Sequence, residues 1–207
     1  MHIAISSNLK KYYKGYIDFI DHHWLNFFET QKIEYSLIPN KPYLSKKKLS
    51  KLNKKIDLLI LTGGSDVQGK KIDTIIRNKI EKNLIKICID KKIPILGICR
   101  GAQLINIFFG GKLSKARGHM RSRHNVWIKG SEITSLKALN VNSFHNSLIS
   151  PKDLTLEANE LAFDTKKNVE MFYIKKRCKI LGIMWHPERE QNKKFLKKII
   201  SFLTKKK

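Results

Sequence analysis

The sequence predicts an α/β fold with a mostly parallel central sheet and a small antiparallel extension. Three observations carry that expectation. Short apolar runs alternate with amphipathic stretches along the chain, the pattern of a sheet covered by helices. Residues 56–62 are apolar almost throughout, as a strand buried on both faces must be. Residues 94–98 form another such strand and pass without a linker into a helical stretch, 100–109.

Taken in order, residues 2–6 read as the first strand. Apolar side chains at Ile17, Ile20, Trp24, Phe27 and Phe28 recur at helical spacing and predict a helix over 17–30. A second strand spans 35–38, closed by Pro39, and the third, 56–62, runs into the glycine turn Gly63-Gly64-Ser65-Asp66. Ile75, Ile76, Ile80, Leu84 and Ile87 share one side of a long helix over 73–92. The 100–109 helix ends at Gly110-Gly111, and residues 112–125 are polar and read as irregular. Shorter strands follow at 126–128, 154–158, 169–174 and 180–185, antiparallel pairs among them, and a last helix covers 192–203. With no internal repeat and no long linker, residues 1–207 read as one domain.

Composition narrows the function classes. No apolar run approaches the length that crosses a bilayer. The start, Met1-His2-Ile3-Ala4-Ile5-Ser6-Ser7, lacks the basic-then-apolar order of a secretion signal, so a cytoplasmic protein without membrane contacts is expected. Three cysteines, Cys88, Cys99 and Cys178, are too scattered for a disulfide framework, and none has Cys-x-x-Cys spacing; no metal is expected. The net charge of +25 raises the question of nucleic acid. The lysines, however, are spread along the whole chain beside abundant Ile and Asn. Runs such as Lys46-Lys47-Lys48 and Lys205-Lys206-Lys207 read as solvated faces and a tail. No nucleic-acid partner is expected, and the charge stays compatible with steering of a small anionic substrate.

The chemistry concentrates in three segments. In Gly97-Ile98-Cys99-Arg100-Gly101-Ala102-Gln103 a cysteine stands where a buried strand ends and a helix begins, between two glycines. So sharp a turn needs small neighbours, which is the logic of the Gly-x-Ser-x-Gly elbow with sulfur in place of oxygen. A helix N-terminus behind the thiol favours thiolate. The competing reading, an inert core cysteine, does not account for the flanking glycines. In Trp185-His186-Pro187-Glu188 a strand delivers a histidine, with a carboxylate two residues on. A cysteine nucleophile needs a base that can later protonate the leaving amine, and a group that orients the base. The third segment, Thr62-Gly63-Gly64-Ser65-Asp66, offers backbone amides after a buried strand. With the amide of Arg100 they suit an oxyanion, and a plain glycine turn is the alternative.

These segments, in this order, resemble the class I glutamine amidotransferase-like superfamily, and within it the γ-glutamyl-γ-aminobutyrate hydrolase family. Val141-Asn142-Ser143-Phe144-His145 is similar to a further block near the active site of these hydrolases, and Arg77 and Glu81 match an Arg and a Glu on the helix before the elbow. The resemblance runs from the first strand to about Glu188. It implies a flavodoxin-like three-layer sandwich and a γ-glutamyl thioester formed on Cys99, with His186 moving the proton and Glu188 orienting it. It further implies Gly64 and Arg100 as oxyanion donors, and Gln103, Ser143 and His145 against the glutamyl group. No cofactor is implied. Two features depart from the family. The loop after Asp66, Val67-Gln68-Gly69-Lys70-Lys71, is short, and Asn78 stands where an Asp is usual.

Less is expected elsewhere. His22 and His23 are adjacent on a helix and point apart, so they do not form a metal pair. His119 and His124, among Arg117, Arg121 and Arg123 after Gly118, make a basic cluster that reads as a solvated loop or as a site for an anionic leaving group. The expected activity is hydrolysis of a γ-glutamyl amide. A specialised substrate is a γ-glutamyl nucleotide diphosphoramidate, such as γ-glutamyl-CDP-amidate, of surface polysaccharide (capsule) synthesis. The alternative is a glutaminase subunit that hands ammonia to a separate synthase partner, and a homodimer is also compatible with the sequence. A nucleic-acid-binding protein with a dead site is disfavoured by the intact Cys-His-Glu set.

Overall fold

The first strand, β1 (His2–Ser6), is buried along its whole length in the computed structural model, which describes residues 1–41, 56–115, 120–129, 133, 137–191 and 193–205. A hairpin follows at once, β2 (Asn8–Tyr12) and β3 (Gly15–Phe19), then helix α1 (His22–Thr30) and strand β4 (Glu34–Ile38). Strand β5 (Leu58–Leu61) leads to helix α2 (Ile72–Asp90), and β6 (Ile95–Ile98) to helix α3 (Arg100–Phe108). Next come β7 (Ser114–Lys115), β8 (Met120–Ile128), β9 (Ala138–Phe144) and β10 (Ser147–Leu148). A short helical turn, Pro151–Asp153, precedes β11 (Asn159–Asp164), β12 (Val169–Lys175) and β13 (Lys179–Ile183). Another, Pro187–Arg189, precedes helix α4 (Lys194–Thr204).

Among the described residues one sheet of nine strands runs β4-β1-β5-β6-β13-β12-β11-β8-β9. Strands β4, β1, β5, β6 and β13 are parallel, and β12, β11, β8 and β9 continue the sheet antiparallel. Side chains alternate across a strand, so the two faces of the parallel half acquire different partners. Ile3, Ile5, Leu58 and Ile60 pack with Trp24, Phe27 and Phe28 of α1 and with Leu196 and Ile199 of α4. Ala4, Leu59, Leu61 and Ile95 pack with Ile80, Leu84 and Ile85 of α2 and with Leu104 and Ile105 of α3. Helices on both faces make the expected three-layer sandwich. Strand order reverses between β1 and β5, and at such a point the carboxyl ends of the strands open a crevice.

Three sequence expectations need correction. The helix predicted over 17–30 begins at His22, because Asp21 caps it by accepting the His23 amide at 3.0 Å. Residues 15–19 are instead strand β3, and Ile17 is 41% exposed rather than buried in a helix stripe. The strand predicted at 154–158 lies one element later, at Asn159–Asp164, because the Pro151–Asp153 turn and the Ala158 amide bonded to Thr155 hold the earlier segment in turns. The 112–125 stretch, read as irregular, contributes β7 and most of β8. Lys46-Lys47-Lys48, Arg117, Gly118, His119 and the tail lysines Lys206 and Lys207 lie outside the described residues.

Candidate active site

Three parallel strands deliver the three segments to one end of the sheet: β5 ends in Thr62-Gly63-Gly64, β6 in Cys99, and β13 in Met184-Trp185-His186. Cys99 holds φ 50° and ψ −102°, a region that non-glycine residues rarely occupy. The strand on one side and the helix on the other enforce it. Its amide donates to the Ile183 carbonyl at 2.7 Å, and its carbonyl accepts the Gln103 amide at 3.0 Å. The flanking glycines have a measurable reason. A Cβ on Gly97 would lie 2.7 Å from the Gly101 carbonyl carbon, and one on Gly101 would lie 2.2 Å from the Leu61 carbonyl oxygen. Either methyl group would push the elbow off the sheet.

The Cys99 thiol interacts with the His186 imidazole, whose Nδ1 meets Glu188 Oε1 at 2.6 Å. All three side chains are buried. Burial by itself lowers the imidazole pKa, but the Glu188 charge and the Cys99 contact outweigh it and push His186 up to about 10. Proline between His186 and Glu188 starts a turn that folds the carboxylate back under the ring. Gly63 makes room for that ring: a Cβ there would lie 2.4 Å from His186 Cε1. The other thiols differ in setting. Burial drives Cys88 well above its ordinary range and pushes Cys178 up to about 11, so neither is a candidate nucleophile.

Beneath the elbow lies a buried charge network. Arg77 Nε donates to Glu81 Oε1 at 3.0 Å, Arg100 Nη1 pairs with Glu81 Oε2, and Ser6 Oγ donates to Glu81 at 2.8 Å. Arg77 Nη2 also reaches the carbonyls of Thr62 and Gly63, at 2.9 and 3.1 Å, and so fastens the glycine turn to α2. Arg100 Nη2 donates to Asn78 Oδ1 at 2.6 Å. The Arg100 side chain is thereby committed away from the thiol, which leaves its main chain at the start of α3, where no side chain caps the helix. Gly64 has φ 145°, and a Cβ there would lie 2.1 Å from Asn8 Oδ1.

The remaining predicted residues cluster on the other side. Gln103 Nε2 donates to the Ser147 carbonyl at 3.2 Å, and His145 Nδ1 lies 2.9 Å from that same oxygen. Ser143 is fully buried, and its Oγ has no hydrogen-bond partner among the described residues. A cavity of about 450 Å³ opens beside the site, with walls that include Asn8, Lys10, Phe19, Gly64, Asp73, His186 and Glu188. Gly64, His186 and Glu188 thus border it, whereas Cys99, Arg100, Gln103, Ser143 and His145 do not. His124, of the predicted basic cluster, turns inward instead, with Nε2 3.2 Å from the buried Glu170. Arg123 stays outside and pairs with Glu190 at 3.2 Å.

Sequence reasoning assigned no role to Asn142, which holds the histidine in place. Its Oδ1 accepts the His186 amide at 2.9 Å, and its Nδ2 donates to the His186 carbonyl at 2.9 Å. Phe144 sets its ring edge against the imidazole, 5.7 Å between centroids. Both lie in the 141–145 block, whose residue types gave no local signal for either role.

Residues 3–188 match the peptidase C26 family. The chain belongs to that family, within the class I glutamine amidotransferase-like group. The relatives of the chain diverge in what their names state. The γ-glutamyl-CDP-amidate hydrolase of Campylobacter jejuni is 36% identical over 137 residues, covering 65% of this chain and 64% of that protein. A glutamine-hydrolysing GMP synthase subunit of Methanocaldococcus jannaschii is 31% identical over 141 residues, 66% of each chain. The matched part therefore spans just under two thirds of either relative. The fold superposes on a crystal structure from Thermoplasma acidophilum, provisionally described as a GMP synthase subunit. The TM-score is 0.74 at 22% identity, over 98% of this chain and 94% of that one.

Proposed function

We propose that this peptidase C26 member is a cysteine-dependent hydrolase of a γ-glutamyl amide. The observation that carries the reading is the continuous chain Cys99–His186–Glu188, with the thiol on a strained strand-to-helix turn and the imidazole held charged by the carboxylate. In the first step the Cys99 sulfur, its proton already resting on His186, attacks the γ-carbonyl carbon as a thiolate, and the C–N bond breaks as His186 gives that proton to the departing amine. A glutamyl thioester remains. Water then loses a proton to His186 as it attacks that carbonyl, the C–S bond breaks, and glutamate leaves with the thiolate and the protonated imidazole restored. Glu188 keeps the imidazole oriented throughout and stabilises its protonated form, which is present before the thioester forms and again once water has been deprotonated. The amides of Gly64 and Arg100 receive the oxyanion in each step, which the bare start of α3 supports. Gln103, Ser143 and His145 are assigned to the glutamyl side, and the similarity to the Campylobacter hydrolase favours a phosphoramidate as the departing amine.

A second reading rests on the similarity to glutamine-hydrolysing subunits of GMP synthase: a glutaminase that delivers ammonia to a synthase partner. One experiment separates the two. Purified protein and its Cys99→Ala variant are assayed for glutamate release from glutamine, γ-glutamyl-γ-aminobutyrate, γ-glutamyl dipeptides and a γ-glutamyl nucleotide phosphoramidate. Release from a conjugate by the protein alone, lost in Cys99→Ala, is the expected result. Glutaminase activity that emerges only with cell extract points to the partner-dependent reading.

A further inference from the structure

The β2–β3 hairpin takes no part in the Cys-His-Glu chain, yet it forms one wall of the cavity beside it. Asn8, Leu9, Lys10 and Phe19 line that cavity together with Gly63, Gly64 and His186. The register shows which side chains travel together: Asn8 opposes Phe19, Lys10 opposes Ile17 and Tyr12 opposes Gly15. Opposed residues share a face, and successive ones alternate. Asn8, Lys10, Tyr12, Ile17 and Phe19 therefore stand on one face, which starts at the cavity wall. On the other face Leu9 is buried and Asp18 accepts from the amide and side chain of Asn40 at 3.0 and 2.6 Å, which anchors the open end of the hairpin, while Tyr16 stays 43% exposed.

Folding leaves the cavity-side face uncovered, with Tyr12, Ile17 and Phe19 at 55%, 41% and 45% exposure. A lysine between two exposed rings is suited to a ligand that is flat at one point and anionic at another. The carboxylates on the cavity wall divide the space further. Glu188 is occupied by His186, and Asp21 by Arg189 at 2.9 Å. Asp73 has no cationic partner among the described residues, which suits an ammonium near α2 and keeps an anion toward Lys10. A γ-glutamyl group has an ammonium to offer and no ring.

We propose that this hairpin face is the subsite for the departing amine, and that the amine carries both a flat ring and a negative charge, as a nucleoside phosphoramidate does. The inference rests on the γ-glutamyl hydrolase reading and gives it a substrate class. The net charge of +25 acts in the same direction, by drawing anions toward the molecule.

The test compares kcat/KM for γ-glutamyl methylamide with that for γ-glutamyl cytidine diphosphoramidate, in the wild type and in Lys10→Gln, Tyr12→Ala and Phe19→Ala. Lys11→Gln, on the opposite face, is the control, and thermal melts establish that each variant is folded. Binding of cytidine diphosphate to Cys99→Ala and to Lys10→Gln/Cys99→Ala is measured by calorimetry at low and high salt. Each cavity-face variant is expected to lower the nucleotide-to-methylamide ratio about tenfold, mainly through KM, with Lys11→Gln unchanged. Cytidine diphosphate is expected to bind Cys99→Ala in a salt-sensitive way that Lys10→Gln weakens. Equal use of the two substrates by the wild type, or a ratio unmoved in all three variants, overturns the subsite and leaves the hydrolase intact. No glutamate from either substrate, with diphosphate binding still dependent on Lys10, removes the hydrolase reading and keeps the subsite.

Discussion

Glu81, on α2 against the parallel strands, and Glu170, in β12 of the antiparallel half, are buried alike, at 0% and 1% exposure, and their surroundings drive them in opposite directions. Burial raises the pKa of both. Around Glu81, behind the parallel strands, the charges of Arg100 and Arg77 outweigh burial and hold the carboxyl below its usual range. Around Glu170, in the antiparallel half, burial wins against the imidazole of His124, and the carboxyl is raised. Two guanidinium groups fix a charge where a histidine does not. The half bearing the elbow thus rests on a permanent ion network, whereas the polar core of the other half responds to protons.

The pH dependence follows with opposite signs. A carboxyl whose pKa is depressed by folding contributes stability above its unfolded value, near 4.5, and loses it as pH falls; Glu81 is of this kind. Glu170 and His124 both have raised values, so their contribution is present at low pH and is lost as pH rises.

Four substitutions would break or sharpen this contrast, the largest effect first. Glu188→Gln keeps the shape of the site but removes the charge that holds His186 up to about 10. It is expected to lower kcat about 10³–10⁴-fold and to move the alkaline limb of the pH–rate profile downward. A limb that stays in place would separate Glu188 from the histidine. Next, Glu81→Gln leaves two buried guanidinium groups facing each other and should destabilise the fold by about 3–5 kcal/mol in denaturant titration. A loss below about 1 kcal/mol would mean that the network is not what carries the elbow.

Asn142→Ala removes two bonds to the His186 backbone, at an expected cost of about 1–3 kcal/mol, with kcat falling more than KM changes. Loss of stability with kcat intact would make Asn142 a fold residue and not a positioning one. The smallest effect belongs to Glu170→Gln. It should change stability by less than about 1 kcal/mol at neutral pH and flatten the decline seen as pH rises, measured by melts across a pH series. An unaltered pH series would contradict the proton-responsive picture of the antiparallel half.

The same division governs what could be read without coordinates. In the parallel half, β5 and β6 are buried on both faces and appear as unbroken apolar runs, so their positions were legible to within a residue or two. The antiparallel half hides its strands. Of the buried positions of β9, only Val141 is apolar; Asn142 and Ser143 are polar, and the pattern carries no strand signal. The β2–β3 hairpin was missed for a related reason: Ile17 and Ile20 extend the apolar period of α1 backward across Asp21, the residue that caps the helix in the structure.

By itself the sequence determined the parallel strands, the elbow and the His186–Glu188 pair, because each is local: a run of apolar residues, two glycines beside a thiol, a carboxylate two residues from an imidazole. Only the tertiary structure decided that Asn142 grips His186 from 44 positions away, that Arg77 ties the glycine turn to α2, and that the hairpin walls the cavity. Those contacts join segments distant in the chain, and their energies depend on burial that no single segment produces alone.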